Sequence, residues 1–168
     1  MNYPQLQGTA PTARVFLSTS VVNDKIYAIG GGHAQKDTPF GVTEEYDPAT
    51  DTWTKRADMP TARAGLTTAI VNGKIYAIGG AVSYNNFNLA FSEVEVYNPA
   101  LDEWEKGLDM PTARAWISSS VANGKIYVIG GRTPAATLSV VEEYTPEDWQ
   151  SISPQGKLPT KWGEVKSD

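Results

Sequence analysis

Three observations predict an all-β fold of three four-stranded antiparallel sheets packed face to face, an arc of a propeller. The stretch Asn72-Gly73-Lys74-Ile75-Tyr76-Ala77-Ile78-Gly79-Gly80 returns as Asn123-Gly124-Lys125-Ile126-Tyr127-Val128-Ile129-Gly130-Gly131. It occurs earlier as Asn23-Asp24-Lys25-Ile26-Tyr27-Ala28-Ile29-Gly30-Gly31. The spacings from Gly30 to Gly79 to Gly130 are 49 and 51 residues, and a self-similar period near fifty means a repeat architecture. Within each period the turn signals separate four short strand-like runs, and no window of useful length carries helical apolar periodicity. The central runs are apolar on both faces, as expected when each small sheet is sandwiched between two others. Small four-stranded sheets stacked in series make a propeller.

Each repeat reads in the same order. A lead-in motif comes first: Ala10-Pro11-Thr12-Ala13-Arg14, Met59-Pro60-Thr61-Ala62-Arg63 and Met110-Pro111-Thr112-Ala113-Arg114, with a weaker copy at Leu158-Pro159-Thr160-Lys161. A run of small and β-branched residues follows, such as Leu66-Thr67-Thr68-Ala69-Ile70-Val71, which suits a strand in a crowded position. Asn-Gly, or Asn23-Asp24, then tolerates positive φ twice and closes a hairpin. The second strand, Lys-Ile-Tyr-Ala/Val-Ile, ends on the diglycine, where the chain turns or another backbone approaches closely. After a loop of variable length, the third strand is Thr43-Glu44-Glu45-Tyr46, Val94-Glu95-Val96-Tyr97 or Val141-Glu142-Glu143-Tyr144. It closes on Asp47-Pro48, Asn98-Pro99 or Thr145-Pro146, a type I turn signal with φ preset by proline. Trp53, Trp104 and Trp149 open the fourth strands. The repeats then occupy 10–58, 59–109 and 110–154. Segment 1–9 places Gln5-Leu6 at an outer-strand position, and a tail covers 155–168.

Composition narrows the function classes. A 168-residue chain with 40% hydrophobic residues can bury a core. A formal charge of −5 argues against a nucleic-acid partner, whose phosphates demand a basic surface. With no cysteine there is no disulfide framework and no thiolate metal site. The start, Met1-Asn2-Tyr3-Pro4-Gln5-Leu6, shows no basic region or apolar run of a signal peptide, and no apolar stretch is long enough to span a membrane. The compartment stays open.

With the diglycine after Lys-Ile-Tyr, the Tyr46-Asp47-Pro48 and Tyr97-Asn98-Pro99 turns, and Trp53 and Trp104 beyond them, the chain resembles the kelch repeat over roughly residues 10–152. The third copy departs slightly, with Thr145 for Asp and Trp149 nearer its Tyr144. The Gly-His and Trp-Asp signatures of WD40 repeats do not recur with the period: Gly-His occurs once, at Gly32-His33, and no Trp is followed by Asp. The resemblance implies a kelch-type propeller, and propellers close with about four to eight blades. Three blades would leave two bare apolar faces, at a cost on the order of 10 kcal/mol each if about five side chains are exposed. Two assemblies follow. A second copy of the chain completes a six-bladed ring about a two-fold axis, or the chain is a fragment or engineered half of a longer propeller.

The meander sets the loops between strands two and three, and those between repeats, on one rim; the Asn-Gly and Pro turns lie on the other. Every variable loop is on the first rim, where binding residues are expected. Arg14, Arg63 and Arg114 begin the inner strands there. The resemblance implies an anion-reading ring for them, binding acidic partner peptides; the competing reading pairs them between blades with Glu44, Glu95 and Glu142. Non-repeating candidates are Arg132 after the third diglycine and His33 after the first. Tyr84, Asn85 and Phe87 in the middle loop, and Trp116 with Phe16 at the position held by Gly65, complete the set. One histidine makes no metal site, so neither metal nor cofactor is expected.

Enzymes of this architecture are weighed on the same residues. The copper-radical oxidases of the fold need a cysteine and histidine ligands, which zero Cys and one His exclude. A glycosidase needs two carboxylates flanking one bond, whereas the ordered carboxylates here repeat once per blade. The expectation is therefore a non-catalytic scaffold recognising a peptide or protein, with acidic character in that partner. The alternatives are an acidic-sugar binder or sialic-acid-mutarotase-like enzyme using the lead-in arginines, and a half-propeller with no selected ligand. Neither nucleic acid nor membrane is an expected partner.

Overall fold

A computed structural model of the chain describes residues 8–33, 35–82, 89–146 and 161–164. Blade 1 orders strands β1 (Ser18–Val22), β2 (Lys25–Ile29), β5 (Thr43–Asp47) and β6 (Thr52–Lys55); β3 (Gly32–His33) and β4 (Thr38–Pro39) form a short hairpin within its rim loop. Blade 2 comprises β7 (Thr67–Val71), β8 (Lys74–Ile78), β9 (Val94–Asn98) and β10 (Glu103–Lys106). Blade 3 comprises β11 (Ser118–Ala122), β12 (Lys125–Ile129), β13 (Val141–Thr145) and β14 (Lys161–Glu164). All pairings are antiparallel, and the register repeats: Ser18↔Ile29, Thr67↔Ile78 and Ser118↔Ile129. The hairpin dipeptides carry the two positive φ values of a type I′ turn, 51° and 60° at Asn23-Asp24 and 51° and 74° at Asn72-Gly73.

The blades join face to face through apolar side chains. Tyr27 and Ile29 meet Leu66, Ile75, Ala77 and Tyr97 in the first joint. Tyr76, Ile78 and Val94 meet Ile117, Ile126 and Tyr144 in the second. The diglycines let the next blade come this close. A Cβ on Gly30 would sit 2.8 Å from the Arg63 carbonyl oxygen, and one on Gly79 would sit 2.6 Å from that of Arg114. The following glycines donate to those same carbonyls, Gly31 at 3.0 Å and Gly80 at 3.1 Å.

The first strands lie side by side at the inner edge, β7 between β1 and β11. Hydroxyls stitch them together. Ser18 and Thr68 share a 2.8 Å hydrogen bond, as do Thr67 and Ser119, and the Ser20 hydroxyl donates to Thr68 Oγ1 at 2.8 Å. The small residues that suit a crowded strand thus also supply the polar seam of each joint.

At the outer edge, Trp53 stacks on Tyr46 and Trp104 on Tyr97 with ring centroids 5.0 Å apart. The third blade departs from the expectation built on Trp149. Its outer strand is β14, in which Trp162 faces Tyr144 at 4.9 Å and donates its indole N–H to the Leu108 carbonyl at 2.9 Å. Trp104 makes the corresponding bond to Ala57 at 2.9 Å. Lys161 accordingly begins an outer strand rather than closing a fourth lead-in, and blade 3 draws that strand from the segment assigned above to the tail. Trp149 and Leu158-Pro159-Thr160 lie outside the described residues.

Candidate functional site

The rim of variable loops is tied to the lead-in segments by short bridges: Val15↔Gly32, Ala64↔Ala81 and Ala115↔Arg132, with Ala81↔Ala90 and Arg132↔Thr137 within the loops. These antiparallel bridges hold each lead-in residue beside the loop that follows its own diglycine. The loops therefore spring from a backbone-bonded base, the arrangement in which a rigid scaffold displays recognition residues.

The lead-in arginines do not form a ring presented to a ligand. The side chains of Arg63 and Arg114 are 0% exposed and that of Arg14 only 2%. Each pairs with a glutamate of its own blade, not of a neighbouring one: Arg14–Glu44 at 2.9 Å, Arg63–Glu95 at 3.1 Å and Arg114–Glu142 at 2.9 Å. They also donate to backbone carbonyls of that blade: Arg14 to Ala28, Arg63 to Ala77, Arg114 to Val128 and Gly130. Burial lowers the pKa of Arg14 and Arg63 against the opposing pull of Glu44 and Glu95. The physical reason for the correction is register. The third strand carries its glutamate alongside the second-strand carbonyls that the arginine already bonds, so pair and carbonyls form one site inside the sheet.

What the rim does present is aromatic. Phe16, Gly65 and Trp116 occupy one position in successive lead-ins, all with left-handed backbone, φ 57°, 64° and 50°. A backbone ladder runs through them, Gly65 N–H to Phe16 C=O at 2.9 Å and Trp116 N–H to Gly65 C=O at 2.8 Å. The Trp116 indole lies on Gly65, where an added Cβ would be 3.4 Å from Cε2 and Nε1. Phe16 is 45% exposed and Trp116 half-buried. Glycine is the residue this backbone favours, and a bulky side chain there is a strained exception. The sequence signal was Gly65 itself, aligned with two aromatics.

Of the other expected residues, Arg132 is exposed and bonded through its backbone to Ala115, beside Trp116. His33 pairs with Thr38 in the short hairpin, half-buried. Tyr84, Asn85 and Phe87 lie outside the described residues. Leu89, at the end of that middle loop, is 51% exposed and was not singled out from sequence. Among the described residues, no group of three or more His, Asp or Glu is placed to hold a metal ion, and no helix is long and apolar enough to cross a membrane.

Comparison with known proteins agrees with this geometry. Residues 1–131 match the model of the KLHDC2/KLHL20/DRC7 Kelch-repeats domain, and residues 114–153 match that of the Kelch motif. Kelch-like protein 23 of Homo sapiens is 28% identical over 155 residues, covering 91% of this chain and 26% of its own length. Kelch-like protein terF of Aspergillus terreus is 35% identical over 130 residues, covering 73% and 28% respectively. The chain thus spans about a quarter of the length of these curated relatives. Among solved structures, that of YjhT superposes with a TM-score of 0.78 at 17% identity, over 95% of this chain and 54% of that one, a likeness of fold alone. The repeated four-stranded blades and these matches lead to one conclusion: the chain belongs to the kelch-repeat family and has its all-β propeller architecture.

Proposed function

We propose that this chain is a non-catalytic kelch-type scaffold that recognises a peptide or protein through the rim of lead-in and loop residues. The observation that carries the reading is the pair Phe16 and Trp116, held with left-handed backbone beside the inner edge. Each costs about 1–2 kcal/mol relative to a residue suited to that conformation, and Gly65 shows the same position filled without the cost. Strain retained at an exposed aromatic points to recognition, and Trp, Tyr and Arg dominate binding hot spots. Arg132 beside Trp116 supplies a cation for an acidic group in the partner. The acidic-sugar and mutarotase-like readings lose their support, because Arg14, Arg63 and Arg114 are sealed and paired inside their blades.

The assembly we propose with this reading is a six-bladed ring of two chains. Three blades match 54% of the YjhT chain, so a ring on that plan holds roughly twice three blades, within the usual closed range.

The test is a random-peptide library panned on the wild-type chain, followed by binding of the selected peptides to the Phe16→Gly/Trp116→Gly double variant. Losing a central aromatic anchor is expected to weaken the selected peptides about 30-fold or more, while the variant melts no earlier than the wild type. Peptides that bind both proteins equally, or a library that yields no binder, would contradict the reading.

A further inference from the structure

We propose that blade 3 joins blade 1 of a second copy of this chain through the same chemistry as the two internal joints, and that this new joint sets Phe16 of the second copy against Trp116 to make a composite aromatic cleft. The inference rests on the two-chain ring and the rim reading above, and deepens both by naming the joint and the source of each anchor.

The internal joints follow one rule at the inner edge. The first residue of one inner strand shares a hydroxyl hydrogen bond with the second residue of the next: Ser18 with Thr68, then Thr67 with Ser119, both at 2.8 Å. That second residue also donates to the carbonyl one blade back, Thr68 to Thr19 and Ser119 to Thr68, each at 3.2 Å. The next step requires a hydroxyl at Ser118 and another at Thr19 of a following blade 1. The sequence supplies both, and both are exposed.

The backbone and the apolar face repeat the same offer. Gly31 and Gly80 donate to Arg63 and Arg114 carbonyls of the following blade, and Gly131 keeps their geometry with φ 93° against 87° and 99°. Its matching acceptor in the repeat is the Arg14 carbonyl. Ile29 and Ile78, each 0% exposed, are covered by the next blade, whereas Ile129 at the same position is 48% exposed. Blade 3 therefore carries the donor half of a joint and blade 1 the acceptor half. A second copy supplies both halves in return, and a contact between two different faces closes only when the rotation completes a circle. Two half-rings satisfy that condition.

The joint changes the rim. Within one chain Gly65 separates Phe16 from Trp116, and the Trp116 ring leans onto Gly65. One further step of the same ladder leans Phe16 of the second copy onto Trp116, with Arg132 alongside. Each two-chain ring then holds two such clefts, suited to an extended peptide with an apolar anchor and an acidic neighbour.

The ligand-free test uses the absence of native cysteine. In the Thr19→Cys/Ser118→Cys variant, mild oxidation is expected to give a covalent two-chain species on a non-reducing gel. The Ser18→Cys/Thr68→Cys variant, across an internal joint, should close within one chain and shows that the site tolerates a disulfide. A Thr19→Cys/Ser118→Cys protein that stays single-chain while the control closes overturns the joint, as does a ladder of ever larger multimers. The cleft is tested by mixing the Phe16→Gly and Trp116→Gly chains through unfolding and refolding, with a library-selected peptide as probe. Each variant alone should have lost binding, and the mixture should recover about a quarter of wild-type sites, since half the pairs are mixed and each carries one intact cleft. No recovery despite the covalent pair would overturn the composite cleft while leaving the joint and the rim reading standing.

Discussion

Replacing Arg114 by methionine separates architecture from recognition. The Arg114 side chain is fully buried and donates to Glu142 at 2.9 Å, to Gly130 at 2.8 Å, and to Val140 and Val128 at 3.3 Å. Methionine fills much of the volume but leaves the Glu142 carboxylate and these carbonyls buried without their donor. Breaking such a pair costs about 3–5 kcal/mol, a large share of the 5–15 kcal/mol typical of a domain. Arg63 is the internal comparison. It bonds Ala77 and Glu95, but among the described residues its Nε and Nη1 find no partner, against Nε alone for Arg114, so its loss also removes two poorly served donors. Arg63→Met should therefore cost less, by about 2 kcal/mol. Urea unfolding followed by tryptophan fluorescence measures both, and a binding assay with a library-selected peptide runs in parallel. The reasoning is refuted if Arg114→Met unfolds within about 1 kcal/mol of the wild type yet loses the peptide, because the arginine would then be a recognition residue.

Three further outcomes follow from the same structure. Trp162→Ala should cost about 2 kcal/mol through the lost stack on Tyr144 and the lost bond to Leu108; a thermal melt in which Trp149→Ala carries that loss instead would return the outer strand to the earlier segment. Stability should fall in acid. The Gly8 N–H and Tyr46 hydroxyl hold the Asp51 carboxyl below its usual range; for Asp102, burial pushes upward but the bonds from Tyr97 and Ala57 outweigh it. Depressed carboxyls contribute stability above the ordinary carboxylate value near ~4 and lose it as pH falls further, so urea midpoints should hold from neutral pH to about 5 and drop below about 4. At the alkaline end, burial and the bonds to Glu45 and Asp102 push the Tyr27 and Tyr97 phenols up. Their contribution is complete below the ordinary tyrosine value near ~10 and fades as pH rises past it, and an unchanged midpoint at about pH 11 would contradict it.

Much of the architecture was legible because the period fixes it. The Asn-Gly turns, the diglycines and the Tyr-to-Trp spacing of the first two repeats each name a backbone requirement. The third outer strand was not legible, because spacing assumes a constant connection. Four residues separate Asp47 from Thr52 and Asn98 from Glu103, but fifteen separate Thr145 from Lys161. Trp149 satisfies the spacing, and Trp162 satisfies the geometry. The partner of Arg63 was ambiguous for another reason: Glu44 lies on the preceding blade and Glu95 on its own, and sequence separation does not say which one faces the guanidinium. The inner hydroxyls read as merely small, since their role appears only when β1, β7 and β11 are side by side. The strain at Phe16 and Trp116 is a φ value, hinted at in sequence only by the glycine that replaces them once.

The central claim is that the open faces of blades 1 and 3 belong together in a ring of two chains. Light scattering coupled to size-exclusion chromatography, run on the wild-type chain over a hundredfold range of concentration, tests it most directly. The account predicts a mass of twice 18.2 kDa, held without larger species as concentration rises. A mass that stays at 18.2 kDa across the range would contradict it.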